Sequence, residues 1–67
     1  MNDASPLAHL PLALVIDDDA TIRLLAREVL EQNGLRVIEA ENGAAGLVAF
    51  SRDRPDIVLL EIGRAHV

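Results

Sequence analysis

The chain alternates short aliphatic runs with longer stretches in which apolar residues recur at helical spacing. Leu12-Ala13-Leu14-Val15-Ile16 is a continuous run rich in branched side chains, which predicts a first strand covered on both faces, as in the middle of a parallel sheet. It stops in three consecutive carboxylates, Asp17-Asp18-Asp19. From Ala20 to Asn33, residues Ile22, Leu25, Ala26 and Val29 share one helical face, while Arg23, Arg27, Glu31 and Gln32 mostly occupy the other. An amphipathic helix is predicted there, with Arg23 toward solvent. Asn33-Gly34 ends it, because glycine takes the left-handed cap conformation without a Cβ penalty. Leu35 to Ala40 predicts a short second strand and Glu41-Asn42-Gly43 a turn. A second helix follows from about Ala44 to Arg52, carrying Leu47, Val48 and Phe50. Gly46 inside it costs up to ~1 kcal/mol relative to alanine. Asp53-Arg54-Pro55 breaks the pattern, and Asp56-Ile57-Val58-Leu59-Leu60 reads as a third strand ending in the carboxylate of Glu61.

Strand, helix, strand, helix, strand with short connections implies an α/β fold with a parallel sheet and right-handed crossovers. The two most apolar strands, the first and third, are expected as central neighbours, with the more polar second strand outside the first. The order 2-1-3 follows. It brings Asp17, Asp18 and Glu61 to the C-terminal edge of the sheet, where open parallel sheets bind ligands. Asp19 is placed to cap the first helix, its carboxylate accepting from the free N–H groups of the first turn. Three adjacent negative charges repel one another unless a cation is present, so the cluster asks for a hard metal ion with oxygen ligands, magnesium first.

Composition narrows the function classes. With 67 residues the chain holds at most one small domain, and a chain of that size buries only roughly 60% of its unfolded surface. The formal charge is -5 and all six basic residues are scattered arginines, so no basic stripe points to nucleic acid or to an anionic membrane surface. Cysteine is absent, which removes disulfides and thiolate metal sites and fits a reducing cytoplasm. Residues 1–11 hold two prolines and only a short, interrupted apolar part. They read as a flexible lead-in, neither signal peptide nor membrane span.

In order and spacing, several short pieces resemble the receiver domain of bacterial two-component response regulators. They are Val15-Ile16-Asp17-Asp18-Asp19 with Ile22-Arg23, Asn33-Gly34, Ala40-Glu41-Asn42-Gly43 with Ala45 and Leu47, and Pro55-Asp56-Ile57-Val58-Leu59-Leu60. The resemblance implies a truncated flavodoxin-like sheet with helices on both faces, with residues 12–61 forming a partial receiver domain. It implies that Asp17 and Asp18 hold Mg2+, directly or through water, and that position 61 accepts a phosphoryl group from a histidine kinase. Glu61 would then be both the phosphoacceptor position and a metal ligand, in a cytoplasmic signalling protein that is not a dedicated enzyme. An output domain or partner protein is expected downstream. The hydroxyl residue and the lysine that the family contributes from its fourth and fifth strands have no counterpart here, and the chain contains no lysine.

Glu61 departs from the family, which has aspartate there. Its extra methylene pushes the carboxylate outward by roughly 1 Å, enough to cost about a hundredfold where geometry is tight. One reading is a degenerate receiver whose glutamate mimics a phosphorylated aspartate and which serves as an interaction module without phosphorylation. The favoured reading is that the residue is not native. The tail Ile62-Gly63-Arg64-Ala65-His66-Val67 is what ATC GGA AGA GCA CAC GTC encodes, a common sequencing-library adapter that continues into a stop codon. The adapter's preceding bases, AG, after a genomic G give the glutamate codon GAG, and aspartate codons also begin with G. Residues 62–67 are therefore expected to be a non-native tail, and the segment as it stands to be inactive. A competing enzyme reading comes from Asp17-Asp18-Asp19-Ala20-Thr21, which fits the D-x-D-x-T pattern of haloacid-dehalogenase-like phosphatases. There Asp17 would be the nucleophile and Asp19 the general acid and base. That family usually inserts a flap between strand and helix, whereas helical spacing here begins at once.

Overall fold

The computed structural model describes residues 10–61. The elements run β1 (Leu12–Ile16), α1 (Ala20–Gln32), β2 (Arg36–Ala40), α2 (Gly43–Asp53) and β3 (Ile57–Leu60). The three strands form a parallel sheet in the order β2-β1-β3, with Ile16 opposite Ala40 on one side and Leu60 on the other. This is the truncated flavodoxin-like arrangement that the strand polarity predicts. Every residue of β1 is buried, Leu14 and Val15 completely. Burying each of those two side chains stabilises the fold by about 1.5–3 kcal/mol. Residues 1–9 and 62–67, which include His9 and the tail, lie outside the described residues.

Alternation along the strands assigns the two helices to opposite faces. Leu14, Ile16, Ile38 and Ala40 pack with Ala45 and Ala49 of α2. Glu39, opposite Val15, meets Arg23 and Arg27 of α1 on the other face. Gly46 explains itself here: a Cβ added at this position would clash with Ile16 Cδ1 and stand 3.0 Å from Ile16 Cγ1. The residue that weakens the helix locally is what lets α2 close onto β1.

The caps follow from local chemistry. Asp19 Oδ1 accepts from the N–H groups of Thr21 (2.8 Å) and Ile22 (3.2 Å) at the start of α1. At its end, Leu35 N–H reaches Leu30 C=O and Gly34 N–H reaches Glu31 C=O, with Gly34 at φ 85. This is a Schellman cap, in which glycine relieves the left-handed turn. Asn42 Oδ1 accepts from Ala45 N–H to start α2, which therefore begins one residue before Ala44 and runs to Asp53. Asp56 lies just outside β3, where its carboxylate accepts from Leu12 N–H at 2.8 Å and its own N–H donates to Leu12 C=O. Leu10 and Pro11 are tied to β2 in turn, their carbonyls accepting from Arg36 Nε and Arg36 N–H.

One sequence expectation, the face that α1 turns to the sheet, is corrected. The stripe of α1 nearest the sheet runs through Ile22, Arg23, Ala26, Arg27 and Leu30, all half-buried, whereas Leu25 and Val29 are more than half exposed. The arginine stems cover apolar sheet surface while their guanidinium groups reach Glu39, so Arg23 does not face solvent. On α2, the positions packed on the sheet are the small residues Ala45, Gly46 and Ala49, while Val48 is exposed and Leu47 and Phe50, also exposed, line an open apolar cleft with Leu14, Ile16, Val58 and Leu60. At β3 the apolar surface is open, with Val58 and Leu60 exposed beside Leu47 and Phe50 and Ile57 exposed as well. Among the described residues no helix is long and apolar enough to cross a membrane.

Candidate functional site

β1 delivers Asp17 to the C-terminal edge of the sheet and then releases the chain into α1. Asp17 is 1% exposed, the one charged residue buried among those described. Three contacts fix it: its N–H donates to Ala40 C=O at 3.1 Å, its C=O accepts from Arg23 Nη1 at 2.6 Å, and its Oδ1 accepts from Asp19 N–H at 2.9 Å. Its second carboxylate oxygen, Oδ2, is buried with no hydrogen-bond partner. An orphaned buried acceptor is costly to the fold, about 1–3 kcal/mol and more when it carries charge. Such an atom in an otherwise well-satisfied turn has the properties of a ligand held ready for a cation.

Position 61 stands beside it. Ile16 pairs with Leu60, and Glu61 N–H donates to Ile16 C=O at 2.7 Å, so Asp17 and Glu61 are the next residues out on adjacent strands. Strand spacing in a sheet puts such neighbours about 5 Å apart at the backbone. Glu61 adopts φ 50, which turns the chain out of the strand immediately after Leu60. Asp18, next to Asp17, is exposed, and Glu61 is half-buried. The third carboxylate, Asp19, is engaged at the helix N-terminus. Because α1 begins at Ala20 with no insertion, Asp19 serves as a cap and is not placed as the general acid of a phosphatase.

Sequence reasoning missed the arginines behind this edge. Arg23 Nε donates to Glu39 Oε1 at 3.1 Å, and Arg27 Nε donates to Glu39 Oε2 at 2.6 Å. The bond from Arg27 is the larger cause that holds the Glu39 carboxyl below its ordinary range, with Arg23 adding to it and burial opposing. A signal was present. Glu39 sits on the same face of β2 as the buried Val37, and a carboxylate on a covered face requires a cationic partner. Arginines at i and i+4 of the preceding helix supply two.

Among the described residues no three carboxylate or imidazole side chains gather closely enough to cage a metal ion by themselves. That suits magnesium, which keeps several waters and is held through one or two carboxylates plus phosphate oxygens more often than by an all-protein cage. The unpartnered Oδ2 of Asp17 would supply one hard oxygen ligand to such an ion, with Asp18 and the carboxylate at position 61 next in chain and next in sheet. The donor set fits a hard divalent cation.

Comparison with known proteins matches residues 13–63 to the response regulator receiver domain. Relatives include a protein-glutamate methylesterase/protein-glutamine glutaminase of Hahella chejuensis, 44% identical over 50 residues, covering 73% of this chain and 14% of the relative. The chemotaxis protein CheY of Bacillus subtilis is 38% identical over 50 residues, covering 73% of this chain and 42% of CheY. Sporulation initiation phosphotransferase F of the same organism is 39% identical over 49 residues, covering 73% and 40%. The chain thus spans less than half the length of each of these relatives.

Proposed function

The chain belongs to the response regulator receiver domain family, the phosphoacceptor modules of two-component signalling, and from that premise we propose that position 61 takes up a phosphoryl group beside a Mg2+ site formed with Asp17 and Asp18. The observation that carries the reading is the buried Oδ2 of Asp17, unpartnered at the sheet edge where position 61 is hydrogen-bonded to the end of β1. When bound, Mg2+ offsets the negative charge that a carboxylate and a phosphoryl group bring together. The residues of the chain do the positioning. The ladder fixes the spacing of the two strand ends, Asp19 N–H orients the Asp17 carboxylate, and Asp18 stays accessible.

A histidine kinase is the proposed phosphodonor, and an output domain or partner protein the proposed recipient of the signal, in the cytoplasm. The segment is a phosphoryl acceptor and not a dedicated enzyme, and it makes no direct contact with nucleic acid or membrane. Position 61 is natively aspartate on this reading, with residues 62–67 foreign to the gene. Genomic reads that run through this tail into ordinary coding sequence at good coverage would overturn that part. The function itself is tested by incubating the full-length gene product, with Glu61→Asp, with acetyl phosphate and Mg2+. Stoichiometric, metal-dependent labelling at position 61 is expected. Catalytic turnover of a phosphate ester through Asp17 would refute the assignment.

A further inference from the structure

We propose that Arg23 is a positioning residue for the cation site, holding the Asp17 backbone so that Oδ2 is presented at the sheet edge; the inference rests on the Mg2+ reading above. Arg23 is not arranged as a surface ion pair. Its side chain is 17% exposed, and its guanidinium has two separate acceptors, the Asp17 C=O at 2.6 Å through Nη1 and Glu39 Oε1 at 3.1 Å through Nε. The planar fork of a guanidinium can serve both at once, which a lysine ammonium on a flexible stem does far less well. One side chain thereby ties the first turn of α1 to the end of β1 and to β2. The Asp17 carbonyl lies beyond the last residue of β1, and the guanidinium supplies it with a donor. With N–H, C=O and Oδ1 of Asp17 all held, the remaining freedom of the carboxylate is small. A preorganised ligand binds without the cost of ordering it.

Arg27 provides the control within the same network. It bonds the other oxygen of Glu39 and also Glu31, but has no bond to Asp17. The two arginines therefore separate positioning from general stability. They also separate it from electrostatics, because deleting a nearby positive charge would by Coulomb's law tighten binding of a cation. Positioning has the opposite sign.

The test compares Arg23→Ala and Arg27→Ala in the full-length gene product. Mg2+ affinity is read by calorimetry, stability by urea unfolding, and Asp19 amide exchange by NMR in the metal-free protein. Arg23→Ala is expected to weaken Mg2+ binding by about tenfold, in the range found when groups supporting a metal ligand are removed, and to speed Asp19 amide exchange beyond any global loss of stability. Arg27→Ala is expected to leave both within error of the parent while lowering stability comparably. If Arg23→Ala does not fold, Arg23→Lys takes its place, with weaker Mg2+ binding again expected although the charge is kept. Equal effects of the two arginines, or tighter Mg2+ binding without Arg23, would overturn the inference while leaving the receiver function standing. A parent protein that takes up no Mg2+ would remove both.

Discussion

Replacing Asp17 by asparagine is predicted to stabilise the metal-free protein while abolishing its response to magnesium. The side chain is 1% exposed, one oxygen bonded to Asp19 N–H and the other unpartnered. Asparagine keeps the first bond through its own Oδ1 and exchanges the orphaned oxygen for a neutral amide. A buried polar group without a partner costs about 1–3 kcal/mol, more if charged, and the amide still lacks an acceptor. Only part of that cost is recovered, so the expected gain in EDTA is about 1 kcal/mol. In the parent, Mg2+ at ten times its dissociation constant stabilises the folded state by about 1.4 kcal/mol. The variant should show no such increment. Urea unfolding of the full-length gene product, followed by circular dichroism with EDTA and with Mg2+, measures both quantities. A variant less stable than the parent in EDTA, or one that keeps the Mg2+ increment, would refute the reasoning.

Three further outcomes follow from the packing. Gly46→Ala gains up to ~1 kcal/mol in helix propensity but overpacks Ile16, at about 1–3 kcal/mol, so the urea midpoint should fall; a rise would mean that α2 does not press on β1. Glu39 has a folded carboxyl pKa below its ordinary value of 4.5, caused first by the bond from Arg27. It therefore contributes stability that is present above 4.5 and lost as pH falls through the lower folded value. Glu39→Gln should remove that component of the acid transition, and an unchanged acid limb would contradict it. The 67-residue chain alone should lack a cooperative thermal transition, because Leu47, Val48 and Leu60 are 62–72% exposed and β3 is an edge strand with no neighbour on its outer side among the described residues. A sharp transition in a soluble monomer would contradict this.

The fold was legible where its determinants are local. The aliphatic run of β1 predicted the buried strand, and Asp19, Gly34 and Asn42 announced the helix ends because a cap involves only neighbours in sequence. Strand order followed from comparing how apolar the three strands are. Periodicity did not reveal which stripe of α1 meets the sheet. Leu25 and Val29 continue the apolar face as well as Leu30 does, and only the position of Glu39 selects the stripe carrying Arg23 and Arg27. The packing role of Gly46 was hidden for the same reason: its cost is a property of the helix, but its purpose depends on Ile16, thirty positions earlier in the chain. At the site, the carboxylates and their shared edge were visible, whereas the bond from Arg23 to the Asp17 carbonyl was not. A backbone acceptor leaves no trace in side-chain chemistry.

The central claim is that two chain segments, the end of β1 and the residue after β3, serve one divalent ion. Paramagnetic broadening by Mn2+ tests it most directly, since the effect falls steeply with distance. In the full-length gene product, substoichiometric Mn2+ is predicted to broaden the amide signals of Asp17, Asp18 and residue 61 together, and Asp17→Asn to restore all three. Broadening confined to Asp18 and Asp19, with residue 61 untouched, would contradict it.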